Sequence, residues 1–195
     1  TLTPRQSCDL ELLALGAFSP LRGFMGRSDY ESVCGSMRLA DGTLWPIPIV
    51  LDVTEETAGR CGPGDRLALV DEEGHPLAAL RVAERWTRDL DAEAHAVYGT
   101  TSREHPGVRS LVETGRPWLL AGSLEVLRTP THYDFPDLRL APAETRAAFR
   151  ARGWTRVLAF QTRNPMHRAH LELTMRGMAE SAANLLVHPV VGVTR

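Results

Sequence analysis

One short polar segment contains the residue types best suited to chemistry, residues 161–170 with the sequence QTRNPMHRAH. It follows a compact apolar run at Arg156–Phe160, so we expect it at the carboxyl end of a strand that leads into a helix. Open α/β sheets bind ligands at this position. Asn164 is a favourable N-cap and Pro165 a favourable first helical residue. The free N–H groups of such a first turn, with the positive end of the helix dipole, favour an anion.

Four side chains of this segment strengthen the prediction of an anion site. His167 and His170 are three residues apart, so a helix places them on one face beside the anion. Gln161 and Arg163 add hydrogen-bond donors, and the planar guanidinium of arginine suits a tetrahedral oxyanion. The segment therefore predicts a site for phosphate or sulfate.

The histidine pair has two other interpretations. A zinc site needs three or four ligands, and the sequence does not identify the others. The acidic residue of the H-E-x-x-H metalloprotease pattern is also absent. Two buried histidines without a function would be expected at scattered positions, whereas these two follow a polar turn. The other histidines lack such neighbours and are interpreted as structural: His75, His95, His105, His132 and His188.

The second half of the chain, residues 128–195, has the order helix, strand, turn, helix, strand. The first helix is predicted over Pro142–Arg152 and ends at Gly153. The last strand, Asn184–His188, has the apolar pattern of a buried strand. This order predicts a parallel crossover unit. Because one such unit has open sheet edges, we expect the domain to continue beyond Arg195.

The first half, residues 1–127, is predicted to be a β-rich domain with short helices. Turn-forming residues separate apolar runs that predict three strands, at Trp45–Val53, Arg66–Val70 and Leu77–Arg85. Two prolines confine the first of these runs to a sheet edge or a bulge. Helices are expected at Leu10–Leu15 and Asp89–Val97.

The composition of the chain excludes several classes of protein. The 195 residues include 22 basic and 24 acidic side chains, for a net charge of −2, and every basic residue is arginine. A P-loop lysine and a Schiff-base lysine are thereby excluded within this chain. No basic stripe with interleaved aromatics points to nucleic acid, and no apolar run approaches the roughly 20 residues that cross a membrane. The cysteines fit a reducing cytoplasm, since they form no C-x-x-C pair: Cys8, Cys34 and Cys61.

Residues 161–170 resemble the Q-[TN]-R-N-P-x-H-x-x-H motif of the ATP sulfurylases, and the similarity extends over the chain. Residues 16–25 resemble the family's GGFSPLxGFM segment, residues 37–53 its MRLxDGxLWPIPIxLDV segment, residues 135–146 its run into the catalytic domain, and residues 188–194 its HPxxGxTK strand end. The departures are few. Ala17 replaces a glycine, Leu171 stands where glutamate is common, and Arg195 stands where lysine is usual.

The resemblance implies an α/β protein with a β-rich N-terminal domain. A PUA-like β-barrel over residues 1–127 would be followed by the opening of a Rossmann-like nucleotidyltransferase domain over residues 128–195, incomplete in this chain. The implied reaction joins sulfate to the α-phosphate of ATP, giving adenylyl sulfate and pyrophosphate, with Mg²⁺ accompanying ATP. The implied protein is a cytoplasmic homo-oligomer with no nucleic-acid or membrane partner.

The resemblance also implies a role for each residue of the motif. Sulfate would be held by Gln161 and Arg163. ATP would be held by Gln161, Asn164, His167 and His170. The catalytic set would be Thr162, Arg163, Asn164, His167 and His170.

Three alternatives stay open beside this one. The closest resemblance is to forms with a fused adenylyl-sulfate kinase or kinase-like domain, which would lie beyond this chain. A PUA-like domain also suggests an RNA-binding module, although the net charge of −2 counts against it. Nucleotidyltransferases of the H-x-G-H kind are a third possibility, but they lack the lead-in formed by residues 161–164.

Overall fold

The structure is a computed structural model that describes residues 1–190; the last part of the strand end at 188–194 and Arg195 lie outside the described residues. The chain forms two compact units, Thr1–Pro136 and a second unit that begins at Asp137. None of the helices in the described part of the chain combines the length and the apolar character that crossing a bilayer requires.

The first unit is built around one antiparallel sheet of four strands in the order β1-β4-β3-β2. Its elements, in chain order, are α1 Pro4–Ala14, α2 Arg27–Ser36, β1 Leu51–Val53, α3 Glu55–Arg60, β2 Arg66–Val70, β3 Pro76–Thr87, α4 Leu90–Tyr98, α5 Pro106–Thr114 and β4 Trp118–Val126. A short 3₁₀ turn at Pro136–Leu138 follows.

The sheet of the first unit is covered on both faces. Neighbouring residues of a strand point to opposite faces, yet Leu119 and Leu120 in β4 are both fully buried. Leu120 belongs to the main apolar cluster of the unit, whereas Leu119 packs with Tyr30 of α2 and with Trp86. Burial on both faces explains why β4 lacks the alternating pattern by which a half-exposed strand is found in a sequence.

Several predicted elements are confirmed and others begin elsewhere. The strands β2 and β3 and the helix α4 lie where the sequence predicts them. Helix α1 begins at Pro4 rather than at Leu10, because Thr3 and Gln6 form a capping box at its start. Of the strand predicted over Trp45–Val53, only β1 at Leu51–Val53 forms, since the two preceding prolines cannot donate to a ladder.

Four elements of the first unit were not predicted: α2, α3, α5 and β4. The sequence of α2, RSDYESVCGS, has weak helix propensity. Its position is set by packing, since Tyr30 and Val33 are buried. In β4, a glycine and a serine interrupt the apolar run.

The glycine in β4, Gly122, is required by close backbone packing. It pairs with Val82 next to a bulge in β3, and a Cβ atom at Gly122 would overlap the carbonyl oxygen of Arg81. We expect Gly122→Ala to lower the free energy of unfolding by about 3 kcal/mol, because the backbone cannot yield as a side chain would. Urea denaturation of the full-length gene product measures the effect.

A matched control for this prediction lies in α2. A Cβ atom at Gly35 would meet no other atom within 4 Å, and the residue lies inside the helix. Gly35→Ala should therefore raise stability by about 1 kcal/mol through helix propensity. Equal effects of the two substitutions would contradict the close approach at Gly122.

A buried ionic network joins distant elements of the first unit. The side chain of Arg88 is 3% exposed and donates to both Glu93 carboxylate oxygens at 3.0 Å and to Asp52 Oδ2 at 3.2 Å. Gln6 Nε2 donates to Asp52 Oδ1 at 2.7 Å, and the Tyr30 hydroxyl donates to Glu93 Oε2 at 2.9 Å. Burial, followed by the nearby Glu93 carboxylate, raises the pKa of Tyr30, so its hydroxyl stays protonated as a donor.

The second unit contains α6 Pro142–Ala151, β5 Val157–Thr162, α7 Arg168–Ser181 and β6 Asn184–Pro189. The strands β5 and β6 pair in parallel and α7 connects them, which confirms the predicted crossover unit. Helix α6 is confirmed as well: it begins at Pro142 and ends before Gly153, whose φ of 68° favours glycine. The prediction of a buried β6 is wrong. Its residues are half-buried or exposed, because α7 is the principal helix packed on this strand pair.

Candidate functional site

The predicted segment lies where β5 leads into α7, but the strand ends and the helix begins at later residues than the sequence predicts. Strand β5 extends through Gln161 and Thr162, which were expected in the turn. Helix α7 begins at Arg168, with His167 at the N-cap position. The prediction that Asn164 caps the helix and that Pro165 opens it is therefore wrong by three residues.

The hydroxyl of Thr162 explains the later start of α7. It donates to the carbonyl oxygen of Asn164 at 3.0 Å and accepts from the N–H of Asn164 at 3.1 Å. An N-cap residue must offer its carbonyl to the first intrahelical hydrogen bond. The Asn164 carbonyl accepts from the Thr162 hydroxyl, whereas the His167 carbonyl accepts from Leu171 N at 3.0 Å and so starts the helix.

The start of α7 presents the donors that an anion requires. The N–H groups of its first turn, at Arg168, Ala169 and His170, have no partner within the helix. No side chain caps this end of the helix. With the positive end of the dipole of a 14-residue helix, these groups are donors of the kind that suits an anion. They belong to residues that lie later in the chain than the sequence predicts.

The two histidines of the segment are in direct contact. The rings of His167 and His170 stack with centroids 3.8 Å apart and an interplanar angle of 27°. Because the nitrogen lone pairs lie in the ring planes, stacked rings do not direct them at a common ion. Among residues 1–190, the one cluster of three or more metal-ligating residues is Asp71, Glu73 and His75, in the first unit. The geometry therefore favours an anion over a metal at this pair.

The remaining predicted side chains are open to a ligand. Gln161, Arg163 and Asn164 are exposed, and their side chains form no hydrogen bond or ion pair with any residue in the described part of the chain. Residues 161–171 include no aspartate or glutamate. The segment is thus a basic surface on which these three side chains have no protein partner among the described residues.

Two residues that contact His170 were not predicted from the sequence. The ring of Phe160 lies 5.2 Å from that of His170, tilted by 52°. Thr174 is 2% exposed, and its hydroxyl donates to the carbonyl oxygen of His170 at 2.9 Å. A threonine four residues after a histidine in a helical pattern was the available signal for the second contact.

Comparison with known proteins identifies both units. A family model described as PUA-like domain matches residues 1–129, and one described as ATP-sulfurylase matches residues 136–195. A relative from Saccharomyces cerevisiae named sulfate adenylyltransferase is 49% identical over 194 residues, covering 100% of this chain and 38% of its own length. A relative of the same name from Neurospora crassa is 49% identical over 197 residues, covering 100% of this chain and 34% of its own length.

A solved structure titled "Hexameric APS kinase from Thiobacillus denitrificans" is also similar. It is 40% identical, with a TM-score of 0.77, and the match covers 99% of this chain and 34% of that one. The chain spans between 34% and 39% of the length of the curated relatives it matches. The chain therefore carries a PUA-like domain over residues 1–129, followed from residue 136 by a segment that matches the ATP-sulfurylase family.

Proposed function

We propose that the protein carrying this chain is a sulfate adenylyltransferase, which converts sulfate and ATP to adenylyl sulfate and pyrophosphate. The observation that carries the proposal is the segment between β5 and α7, where exposed unpaired donors adjoin an uncapped helix N-terminus. Two anions must meet in this reaction. A site with several cationic and neutral donors and no carboxylate suits that task.

Sulfate binding is the role we assign to Gln161 and Arg163. Two parallel N–H groups of a guanidinium can bond two oxygens of a tetrahedral anion, and the amide of Gln161 supplies one more donor. Both side chains lie at the end of β5. The strand would therefore fix the position of bound sulfate relative to the start of α7. Such positioning is a large part of catalysis.

ATP binding is the role we assign to Gln161, Asn164, His167 and His170, together with the first-turn N–H groups of α7. In the reaction a sulfate oxygen attacks the α-phosphorus, and the bond from that phosphorus to the bridging oxygen breaks. The electron pair of that bond leaves with pyrophosphate. Negative charge grows on the nonbridging oxygens, where N–H donors stabilise the transition state more than the ground state.

Thr162, which the motif includes in its catalytic set, is proposed here as a positioning residue. Its hydroxyl is engaged by both backbone groups of Asn164, so it holds the turn that carries Arg163. Mg²⁺ would arrive with ATP as part of the substrate. This agrees with the absence of carboxylates from residues 161–171, since Mg²⁺ prefers carboxylate and phosphate oxygens.

We also propose the domain organisation and setting of the protein. The PUA-like domain would end at residue 127, just after β4 ends at Val126, and the catalytic domain would begin at residue 128. The protein would be a cytoplasmic homo-oligomer; the similar structure titled as a hexamer supports an oligomer.

A second candidate is a bifunctional protein with an adenylyl-sulfate kinase beyond this chain. The similarity to a chain titled APS kinase, of which this chain covers 34%, favours it. In such a protein the product of the first site would be the substrate of the second.

One assay tests the proposal and separates the two candidates. The full-length gene product is incubated with ATP, Mg²⁺ and radiolabelled sulfate, with pyrophosphatase present to remove one product. We expect labelled adenylyl sulfate, and in the bifunctional case a second labelled product that carries one more phosphate. A purified, folded protein that forms no adenylyl sulfate, and forms no ATP from adenylyl sulfate and pyrophosphate, would contradict the proposal.

A further inference from the structure

His170 contains a buried polar atom that the proposed function does not use. Its Nδ1 is fully buried and has no hydrogen-bond partner. The residue as a whole is only half-buried. Of its two ring nitrogens only Nδ1 is both buried and unpartnered, so the accessible edge of the ring belongs to Nε2.

The orientation of this ring is fixed by its neighbours. The ring of His167 stacks on it at 3.8 Å, and the ring of Phe160 lies 5.2 Å away. The backbone of His170 is held as well, because the Thr174 hydroxyl donates to the His170 carbonyl oxygen. Such packing leaves the ring little freedom to turn Nδ1 toward solvent.

A neutral imidazole carries one proton, on either Nδ1 or Nε2. A proton on Nδ1 would be a buried donor without an acceptor, and orphaned buried N–H groups are rare because their desolvation is not compensated. A proton on Nδ1 would also leave a bare lone pair on Nε2 at the N-terminal end of α7. That lone pair would repel an anion, whereas an N–H there would bind it.

From these two arguments we propose that His170 is held as its Nε2–H tautomer and acts on the substrate as a single N–H donor from Nε2. Nδ1 takes no part in binding. The inference rests on the proposed function, because the anion it addresses is the phosphate chain of ATP. It assigns to one atom of His170 the donor role that the motif alone assigns to the residue.

Two amide substitutions distinguish the two ring nitrogens. The side-chain nitrogen of glutamine reaches the position of Nε2, whereas that of asparagine reaches only the position of Nδ1. In the full-length gene product we expect His170→Gln to keep kcat/KM within about tenfold of the parent and His170→Asn to lose about 10²-fold, the cost of a missing transition-state donor. The loss should fall on kcat more than on KM. Equal losses, or a more active asparagine variant, would overturn the proposal.

A spectroscopic measurement decides the tautomer without reference to activity. The full-length gene product is labelled with ¹⁵N-histidine, and long-range ¹H–¹⁵N correlation spectra identify the protonated ring nitrogen; the His170 signals are those lost in His170→Gln. Protonation at Nε2 supports the proposal, and protonation at Nδ1 overturns it. If the protein transfers no adenylyl group, the proposed function fails while this measurement still decides the tautomer. If His170→Gln fails to fold, the loss of signals in His170→Asn supplies the same assignment.

Discussion

Replacing Arg88 with methionine is expected to lower the free energy of unfolding by about 3–5 kcal/mol. The guanidinium neutralises two carboxylates, Asp52 and Glu93, whose side chains are only 15% and 7% exposed. Methionine has a similar length and fills much of the same volume. It leaves both carboxylates buried without their cation, and that desolvation is the main cost. Urea denaturation of the full-length gene product gives the difference.

The control for this prediction is an arginine in an exposed ion pair. Arg27 bonds Glu31 one turn along α2 with its side chain 62% exposed. Water screens such pairs, so Arg27→Met should change stability far less than Arg88→Met does. Hydrogen exchange locates the effect of Arg88→Met, which should increase exchange in β1 and α4. A loss for Arg88→Met no larger than that of the control would contradict the network's role.

The ionic network shows what the sequence alone could not predict. Arg88 and Asp52 are 36 positions apart, and Gln6 and Asp52 are 46 apart. In the sequence each reads as an ordinary polar residue near a turn. Their partnership depends on the sheet, because β1 and β3 are both paired with β4, which brings the end of β3 close to β1. Long-range polar contacts of this kind follow from topology and leave no local pattern.

Local signals, by contrast, predicted elements well where nothing competed with them. Asp89 accepts from the N–H groups of Asp91 and Ala92 and starts α4 as expected. The order of elements in the second unit was read correctly from alternating apolar and helical patterns. Helix α2 was missed because its propensity is weak, and it forms through the burial of Tyr30 and Val33.

At the candidate site, residue types were predicted more reliably than backbone. The motif named the side chains that the structure leaves unpaired, but the usual signal of asparagine followed by proline placed the start of α7 three residues early. The hydroxyl of Thr162 bonds both backbone groups of Asn164 and holds this residue in a turn that precedes the helix. A threonine two residues before a predicted N-cap is therefore a reason to doubt that cap.

Arg163→Lys is expected to lower kcat/KM for pyrophosphate-dependent ATP formation from adenylyl sulfate by about 10²–10³-fold. Lysine keeps the positive charge, so the prediction isolates the planar pair of N–H groups that can bind two sulfate oxygens at once. The side chain of Arg163 is exposed and has no partner in the described part of the chain, so stability should not change. The assay uses the full-length gene product with adenylyl sulfate, pyrophosphate and Mg²⁺.

Arg176→Lys is the matched control for this substitution. Arg176 lies on α7, about 12 Å along the axis from its first residue Arg168, and its exposed side chain bonds Glu172 at 2.7 Å. It should leave both activity and stability unchanged, since lysine can make the same exposed pair. If Arg163→Lys turned over at a near-normal rate, a point charge would be enough at that position. Sulfate would then have to be oriented by Gln161 and the first-turn N–H groups of α7, and the guanidinium would not be its clamp.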